Sequence, residues 1–377
     1  MPLMTTANGM RSNKKSSSNL LNSVVEAMKH AQAADLVYVT DSRPGIERKR
    51  QGKSFTYFYK DKKVSDQTQL ERIKKLVLPP AWRNVWICPL HNGHLQATGI
   101  DARNRKQYKY HAHWNSLRNE TKFHRMIDFG KSLPKIRLRV KKDIRNSALT
   151  QDKVIATIIS ILEHTHIRIG NQNYEKEYGS HGLTTLKDRH VKIDGSAIRF
   201  SFIGKKGIHQ QVNLKSKKLA RIVKQCREIP GKELFQYMNG DGTHHAIDSG
   251  KVNEYIRNTT GKDFTAKDFR TWAGTLNAFR AFCDLGDAET AGDAKKNIVA
   301  VLDHVSMKLG NTRAVCKKYY VNPLLLTLYE NKKLFTYLDT RNGNGKVNPT
   351  GLTPEEKVVM KILKDNLSKT AHRIEKQ

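Results

Sequence analysis

Apolar positions along the chain follow two regimes. Between about Asp35 and Trp114 they come in short runs: Leu36 and Tyr38, then Phe55, Tyr57 and Phe58, then Val85 to Cys88, then Leu95, Ala97 and Gly99 after Asn92-Gly93. Short segments punctuated by an Asn-Gly pair predict strands joined by tight turns. From Val154 the spacing becomes three and four, and Val154, Ile155, Ile158, Ile161 and Leu162 predict a helix running into Arg168-Ile169-Gly170. The basic run KIRLRVKKDIRN between the two regimes is expected to be a connector. Alternation returns at Val191 to Ile193, turns at Asp194-Gly195, runs through Ile198, Phe200 and Phe202, turns again at Gly204 to Gly207, and resumes over Ile208 to Leu214. Three antiparallel strands are predicted, with Lys205 on the second turn.

Helical signals dominate the remainder. Thr265 and Asp268 form a capping box opening a helix with Phe269, Trp272, Leu276, Phe279 and Cys283 on one face, and Arg270 stands one residue off that stripe. A second helix through Ile298, Val301, Leu302 and Val305 stops at Leu309-Gly310. Asn311-Thr312 starts a short helix carrying Tyr319 and Tyr320, which Asn322-Pro323 breaks. Thr353-Pro354-Glu355-Glu356 caps a last basic helix over Val359, Ile362, Leu363 and Leu367. The expected fold is α+β: a basic tail over residues 1–33, disordered at least at its start; a small β-rich N-terminal domain over 34–117; a larger, mainly helical domain with a three-stranded antiparallel sheet over 118–338; and a linker with a C-terminal basic helix over 339–377.

Charge narrows the ligand. Against 35 Asp and Glu stand 68 Lys and Arg, a formal +33 that repels itself unless an anion lies against it. The basic residues are spread through segments that also carry globular apolar patterns, which suits nucleic acid better than a membrane surface. Cys88, Cys226, Cys283 and Cys316 are scattered without paired spacing, as reduced structural thiols are, and no run of about 18 apolar residues exists. A cytoplasmic monomer, nucleoid-associated if bacterial, is expected. Composition alone suits a nucleic-acid packaging protein equally well.

Chemistry enters through the order of a few residues. Breaking a DNA backbone without a metal needs a nucleophile, cations for the nonbridging oxygens, and an acid for the departing 5′ oxygen. Tyr, Arg and Lys can supply all three. Arg168-Ile169-Gly170-Asn171, Phe202-Ile203-Gly204-Lys205-Lys206, Lys267-Asp268-Phe269-Arg270-Thr271-Trp272, and Leu309-Gly310-Asn311-Thr312 leading to Lys317-Lys318-Tyr319-Tyr320 resemble, in that order, the active-site segments of the small type IB DNA topoisomerases of poxviruses and bacteria. The likeness extends to Gly99-Ile100-Asp101-Ala102-Arg103 and Gln107-Tyr108-Lys109-Tyr110, and so covers roughly residues 35 to 325.

The resemblance implies a bilobed clamp around duplex DNA, no cofactor and no metal, and no obligate protein partner. It makes Tyr320 the nucleophile forming a 3′ phosphotyrosyl link, Lys205 the general acid helped by Arg168, Arg168 and Arg270 the phosphate clamp, and Asn311 a further donor. Gln107, Tyr108, Tyr110, Tyr174 and Lys206 are then expected to touch DNA. Two features depart from the pattern: poxvirus-like members carry His where Asn311 stands, and Tyr319 is a second phenol where a small residue is usual. Neighbouring helix positions point about 100° apart, so only one phenol should reach the phosphate.

Plainer readings compete. Asn311 could simply cap a helix after Gly310. The tyrosines of the β-rich domain and Tyr174 could be packing residues. Cys88, His91 and His94 have a spacing zinc could use but lack a fourth ligand in sequence. A tyrosine recombinase would share the phosphotyrosine chemistry, yet it would place His three residues before the second arginine, where Lys267 stands.

Overall fold

The computed structural model describes residues 28–29, 31–52, 54–102, 104–341 and 348–374. The polar stretch over residues 1–18, expected to be disordered, lies outside them, as does Arg103. The chain divides into two compact units, Met1–Lys122 and Phe123–Gln377.

The first unit holds a six-stranded antiparallel sheet in the order β3-β2-β1-β4-β5-β6, from β1 (Ile46–Gln51), β2 (Ser54–Tyr59), β3 (Lys62–Lys63), β4 (Arg83–Ile87), β5 (Leu95–Ile100) and β6 (Lys106–Tyr110). Lys60 and Asp61 both adopt positive φ (47° and 61°), the geometry of a tight two-residue hairpin between β2 and β3. A short helix, α1 (Gln67–Lys75), is capped by Asp66 and drops Ile73 into a core with Ile46, Val85, Ile87 and Ala97. The Cys88, His91, His94 spacing does not form a ligand set. His94 Nδ1 accepts the Val39 N–H at 3.0 Å, and its ring stacks on Tyr38 at 4.3 Å.

The expected connector KIRLRVKKDIRN is mostly helix, belonging to α2 (Ala112–Asp143). Leu133, Ile136 and Val140 recur at three and four spacing and are buried. Pro134 inside the helix, normally a breaker, masks that period in the sequence.

In the second unit, α3 (Gln151–Thr165) is the most buried helix, with Val154, Ile155, Ile158, Ile159, Ile161 and Leu162 all at 1% exposure or less. It ends before Arg168, because His166 adopts left-handed φ 58°. A short helix, α4 (Gln172–Tyr178), leads to the three-stranded antiparallel sheet β7 (Val191–Asp194), β8 (Ala197–Ile203) and β9 (His209–Lys215), in that order as expected. Helices α5 (Lys217–Arg227) and α6 (Ser249–Thr260) flank a two-stranded ribbon, β10 (Gln236–Met238) and β11 (His244–Ala246).

The Thr265/Asp268 capping box opens α7 (Ala266–Leu285), and α8 (Ala291–Leu309) ends at Gly310 with φ 57°. The next helix, α9 (Arg313–Tyr319), stops one residue before Tyr320, and Pro323 starts a further helix, α10 (Pro323–Glu330), rather than only ending one. The last helix, α11 (Pro354–Ile374), buries Val358, Val359, Met360, Ile362 and Leu363. Its Glu356 accepts from Arg137 at 2.7 and 2.9 Å and from Trp272 Nε1 at 3.1 Å, joining α2, α7 and α11. Among the described residues, no helix is long and apolar enough to cross a membrane.

Candidate active site

Four segments far apart in sequence meet around one turn, Leu309-Gly310-Asn311. Arg270 leaves the second turn of α7 and is 4% exposed. Its Nη2 donates to Leu309 O at 2.8 Å and its Nη1 to His166 O. Arg168 reaches the same turn, with Nη2 donating to Gly310 O at 3.1 Å and to Asn311 Oδ1. The guanidinium of Arg270 lies 5.4 Å from the centroid of the Tyr320 ring. The expected clamp residues and the expected nucleophile are therefore neighbours.

Local folding explains each placement. The segment carrying Arg168 is pinned by Leu183 N–H to Arg168 O (2.9 Å) and Thr184 N–H to Ile169 O (2.7 Å). A Cβ on Gly182 would meet Arg168 O and Gly170 N at 2.5 Å, so only glycine lets these two backbones close to that spacing. Tyr320 follows the end of α9 in a non-helical conformation (φ −128°). Its carbonyl accepts from Thr275 Oγ1 at 3.1 Å, and its backbone sits where a Cβ on Gly274 would stand. The phenol is half-buried, whereas Tyr319 is 40% exposed with the Lys318 ammonium 5.4 Å from its ring centroid.

Lys205 sits at the tip of the β8–β9 hairpin, where Lys206 adopts φ 68°. It lines a narrow pocket with His166, Ile167, Arg168, His181, Phe202, Gly204, Gln210 and Arg270. Among the described residues no carboxylate lines that pocket, and the cations depress one another. Desolvation and then the charge of Arg270 hold Arg168 below the usual arginine range, with the Tyr320 phenol acting the other way. Desolvation likewise lowers Arg270 against the opposing pull of Tyr320. Lys205 is exposed at its surface yet loses part of its hydration to its neighbours; that, and next the charge of Arg168, keep its ammonium below the ordinary lysine value. Burial and then Arg270 push His166 down to about 4, so it is neutral at pH 7.

Asn311 is more than a cap. Its backbone N–H is taken by Ser306 O at 3.0 Å and its Oδ1 by Arg168, while the buried Nδ2 makes no hydrogen bond of good geometry. The Cys316 thiol lies close enough to feel that amide. Burial raises the thiol to about 11, with Arg270, Arg168 and Asn311 opposing, so it is protonated at pH 7. The cap of α9 is Thr312, not Asn311.

The remaining expected DNA contacts are scattered. In the first unit, Tyr108 is 49% exposed and stacks on half-buried Tyr110 at 6.0 Å, and Gln107 Nε2 is engaged by Asp101 Oδ2 at 2.9 Å. In the second, Tyr174 is 51% exposed at the start of α4 and Lys206 is exposed on the hairpin. Sequence reasoning missed Gln210, His166 and His181 in the pocket; none carries a motif, and only the register of β8 on β9, which sets Gln210 opposite Phe202, brings Gln210 there.

Comparison with known proteins identifies the family. Residues 111–335 match the family model "Eukaryotic DNA topoisomerase I, catalytic core", and residues 54–101 match "Bacterial DNA topoisomerase IB, N-terminal domain". The chain is 32% identical over 306 residues to the DNA topoisomerase 1B of Acanthamoeba polyphaga mimivirus, covering 79% of this chain and 91% of the relative. It is 23% identical over 236 residues to the DNA topoisomerase 1B of Vaccinia virus (strain Copenhagen), covering 62% and 72% respectively. A solved XerH site-specific recombinase bound to palindromic difH substrate matches at 17% identity with a TM-score of 0.35 over 54% of this chain and 51% of that one, too loose a likeness to bear on the fold. With a catalytic-core match spanning more than half its length and a relative matched almost end to end, the chain belongs to the type IB DNA topoisomerases and is an enzyme of that class.

Proposed function

We propose that the enzyme relaxes supercoiled duplex DNA by cutting and resealing one strand through a 3′ phosphotyrosyl intermediate at Tyr320, without ATP or metal. The observation that carries this reading is the crowd of mutually repelling cations, Arg168, Arg270 and Lys205, lining one pocket with no carboxylate among the described residues, and the Tyr320 ring 5.4 Å from the Arg270 guanidinium. Such a site lacks one anion, and the charge and multidentate donors fit a phosphodiester.

In the proposed step Tyr320 Oη attacks phosphorus in line, the bond from phosphorus to O5′ breaks, and the Lys205 ammonium gives its proton to O5′. The phenolic proton passes to solvent. Arg168, Arg270 and the uncommitted Nδ2 of Asn311 hold the nonbridging oxygens, whose charge grows in the transition state. Because the ester bond is exchanged and not hydrolysed, the cut strand can swivel and be resealed by the reverse reaction. The two units act as a clamp on duplex DNA, with Tyr108, Tyr110, Gln107, Tyr174 and Lys206 on the duplex and phosphate contacts giving most of the affinity. The working form is a monomer.

Negatively supercoiled plasmid incubated with the protein in EDTA without ATP tests this. Relaxation is expected, with Tyr320→Phe still retarding the plasmid but not relaxing it. Retardation without relaxation by the parent protein would return the chain to a plain basic binder.

A further inference from the structure

Lys205 has to reach a leaving oxygen held by residues on other segments, and the hairpin that carries it is thinly anchored. Residues Lys205 to His209 are all exposed, Lys206 and Gly207 both adopt positive φ, and the hydrogen bonds of Gly204 N–H to Ile208 O, Gly207 N–H to Gly204 O and Ser201 Oγ with His209 Nε2 stay inside the hairpin. On the β8 side the root is tied down by His181 N–H donating to Ile203 O at 2.8 Å. On the β9 side the tie is a side chain. Gln210 lies across Gly204, where a Cβ would meet its Cγ at 2.9 Å, and its amide rests on Gly310, where a Cβ would meet Oε1 at 2.6 Å and Nε2 at 2.8 Å.

Two glycines thus leave room for one glutamine between the first residue of the Lys205 turn and the turn that Arg168, Arg270 and Asn311 share. Among the described residues the Gln210 amide makes no side-chain hydrogen bond, so it acts there by its shape.

We propose that Gln210 is a positioning residue for the general acid: a wedge that sets the Lys205 turn at a fixed distance from the Leu309-Gly310-Asn311 turn, so that proton delivery and phosphate clamping occur in register. The inference rests on Lys205 being the acid. Misplacing a catalytic group by about 1 Å costs on the order of 100-fold, and general-acid catalysis as a whole contributes about 10²–10⁴-fold. Cutting Gln210 back to alanine falls in that range; restoring the length without the amide restores the wedge.

The test is single-turnover cleavage by the full chain of a duplex carrying either the ordinary phosphodiester or a sulfur in place of the bridging 5′ oxygen, a leaving group that departs as thiolate without needing a proton. Gln210→Ala is expected to cut the ordinary duplex about 100-fold more slowly and the sulfur duplex at nearly the parental rate, while Gln210→Met recovers most of the loss. Equal slowing on both duplexes, no slowing on either, or a Met variant as slow as the Ala variant would each overturn the inference. Lys205→Ala run in parallel separates the two layers: if sulfur does not restore that variant, the acid assignment itself has failed.

Discussion

Replacing Arg270 by lysine keeps the charge and removes the fork, which makes Arg270→Lys the sharpest probe of the clamp. The guanidinium spans two carbonyls, His166 O and Leu309 O, through its two terminal nitrogens, with its buried Nε without a hydrogen-bond partner among the described residues. One ammonium can hold one of those carbonyls and cannot also present a planar pair of donors to a phosphate. Two separate losses follow. The stranded buried carbonyl costs about 1–3 kcal/mol of stability. Removing a preorganised donor from a site of developing negative charge costs on the order of 10²–10³ in the cleavage rate, about 3–4 kcal/mol. Thermal unfolding reads the first, and single-turnover formation of the covalent complex on a short duplex reads the second. A folded variant that cleaves within about threefold of the parent, a difference under about 0.7 kcal/mol in barrier, would refute the role of the fork.

Further outcomes are expected elsewhere. Tyr319→Phe leaves cleavage essentially unchanged, as measured by covalent-complex formation, because its exposed ring lies outside the arginine cluster. The cleavage rate on ordinary phosphodiester falls on its alkaline limb as Lys205 loses its proton, at a pH below the ~10.4 of free lysine. Arg168→Ala moves that limb upward in a pH–rate series, since the Arg168 charge is among the causes of the depression. Glu356→Gln destabilises the fold by about 1–3 kcal/mol at pH 7, because Arg137 loses one of its two carboxylates inside the packing of α2, α7 and α11 and keeps only Glu163. Burial would raise the Glu356 carboxyl, but Arg137 outweighs it and holds the group below 4.5. Its contribution is therefore complete above the unfolded value near ~4.3 and lost as pH falls through the lower folded value, so denaturant melts of parent and variant should converge in acid.

Where periodicity and caps coincide, the chain could be read directly. The Thr265/Asp268 box, the αL stop at Gly310 and the alternation of β7 to β9 are local signals, and each sets the placement of an expected site residue: Arg270, Asn311 and Lys205. What was illegible depends on partners distant in sequence. β1, IERKRQ, is too charged to read as a strand and becomes one by pairing with β2 and β4. The α2 period is hidden by Pro134, and Pro323, a stop signal by itself, is also the first residue of α10. Within the candidate site, motif order supplied the proposed reacting groups but not their supports. Gly182 against Gly170, Gly274 against the Tyr320 backbone and Gln210 between Gly204 and Gly310 are close approaches of chain segments, and a one-dimensional pattern carries no trace of them.

The identity and polarity of the covalent link bear most directly on the whole account. A duplex whose cleaved product cannot be resealed should trap the protein on DNA in EDTA, and proteolysis of the adduct should return one peptide carrying the DNA 3′ phosphate on Tyr320. Recovery of the DNA on Tyr319 or another side chain, or joined through a 5′ phosphate, would contradict the convergence of Arg168, Lys205, Arg270 and Asn311 on that one phenol.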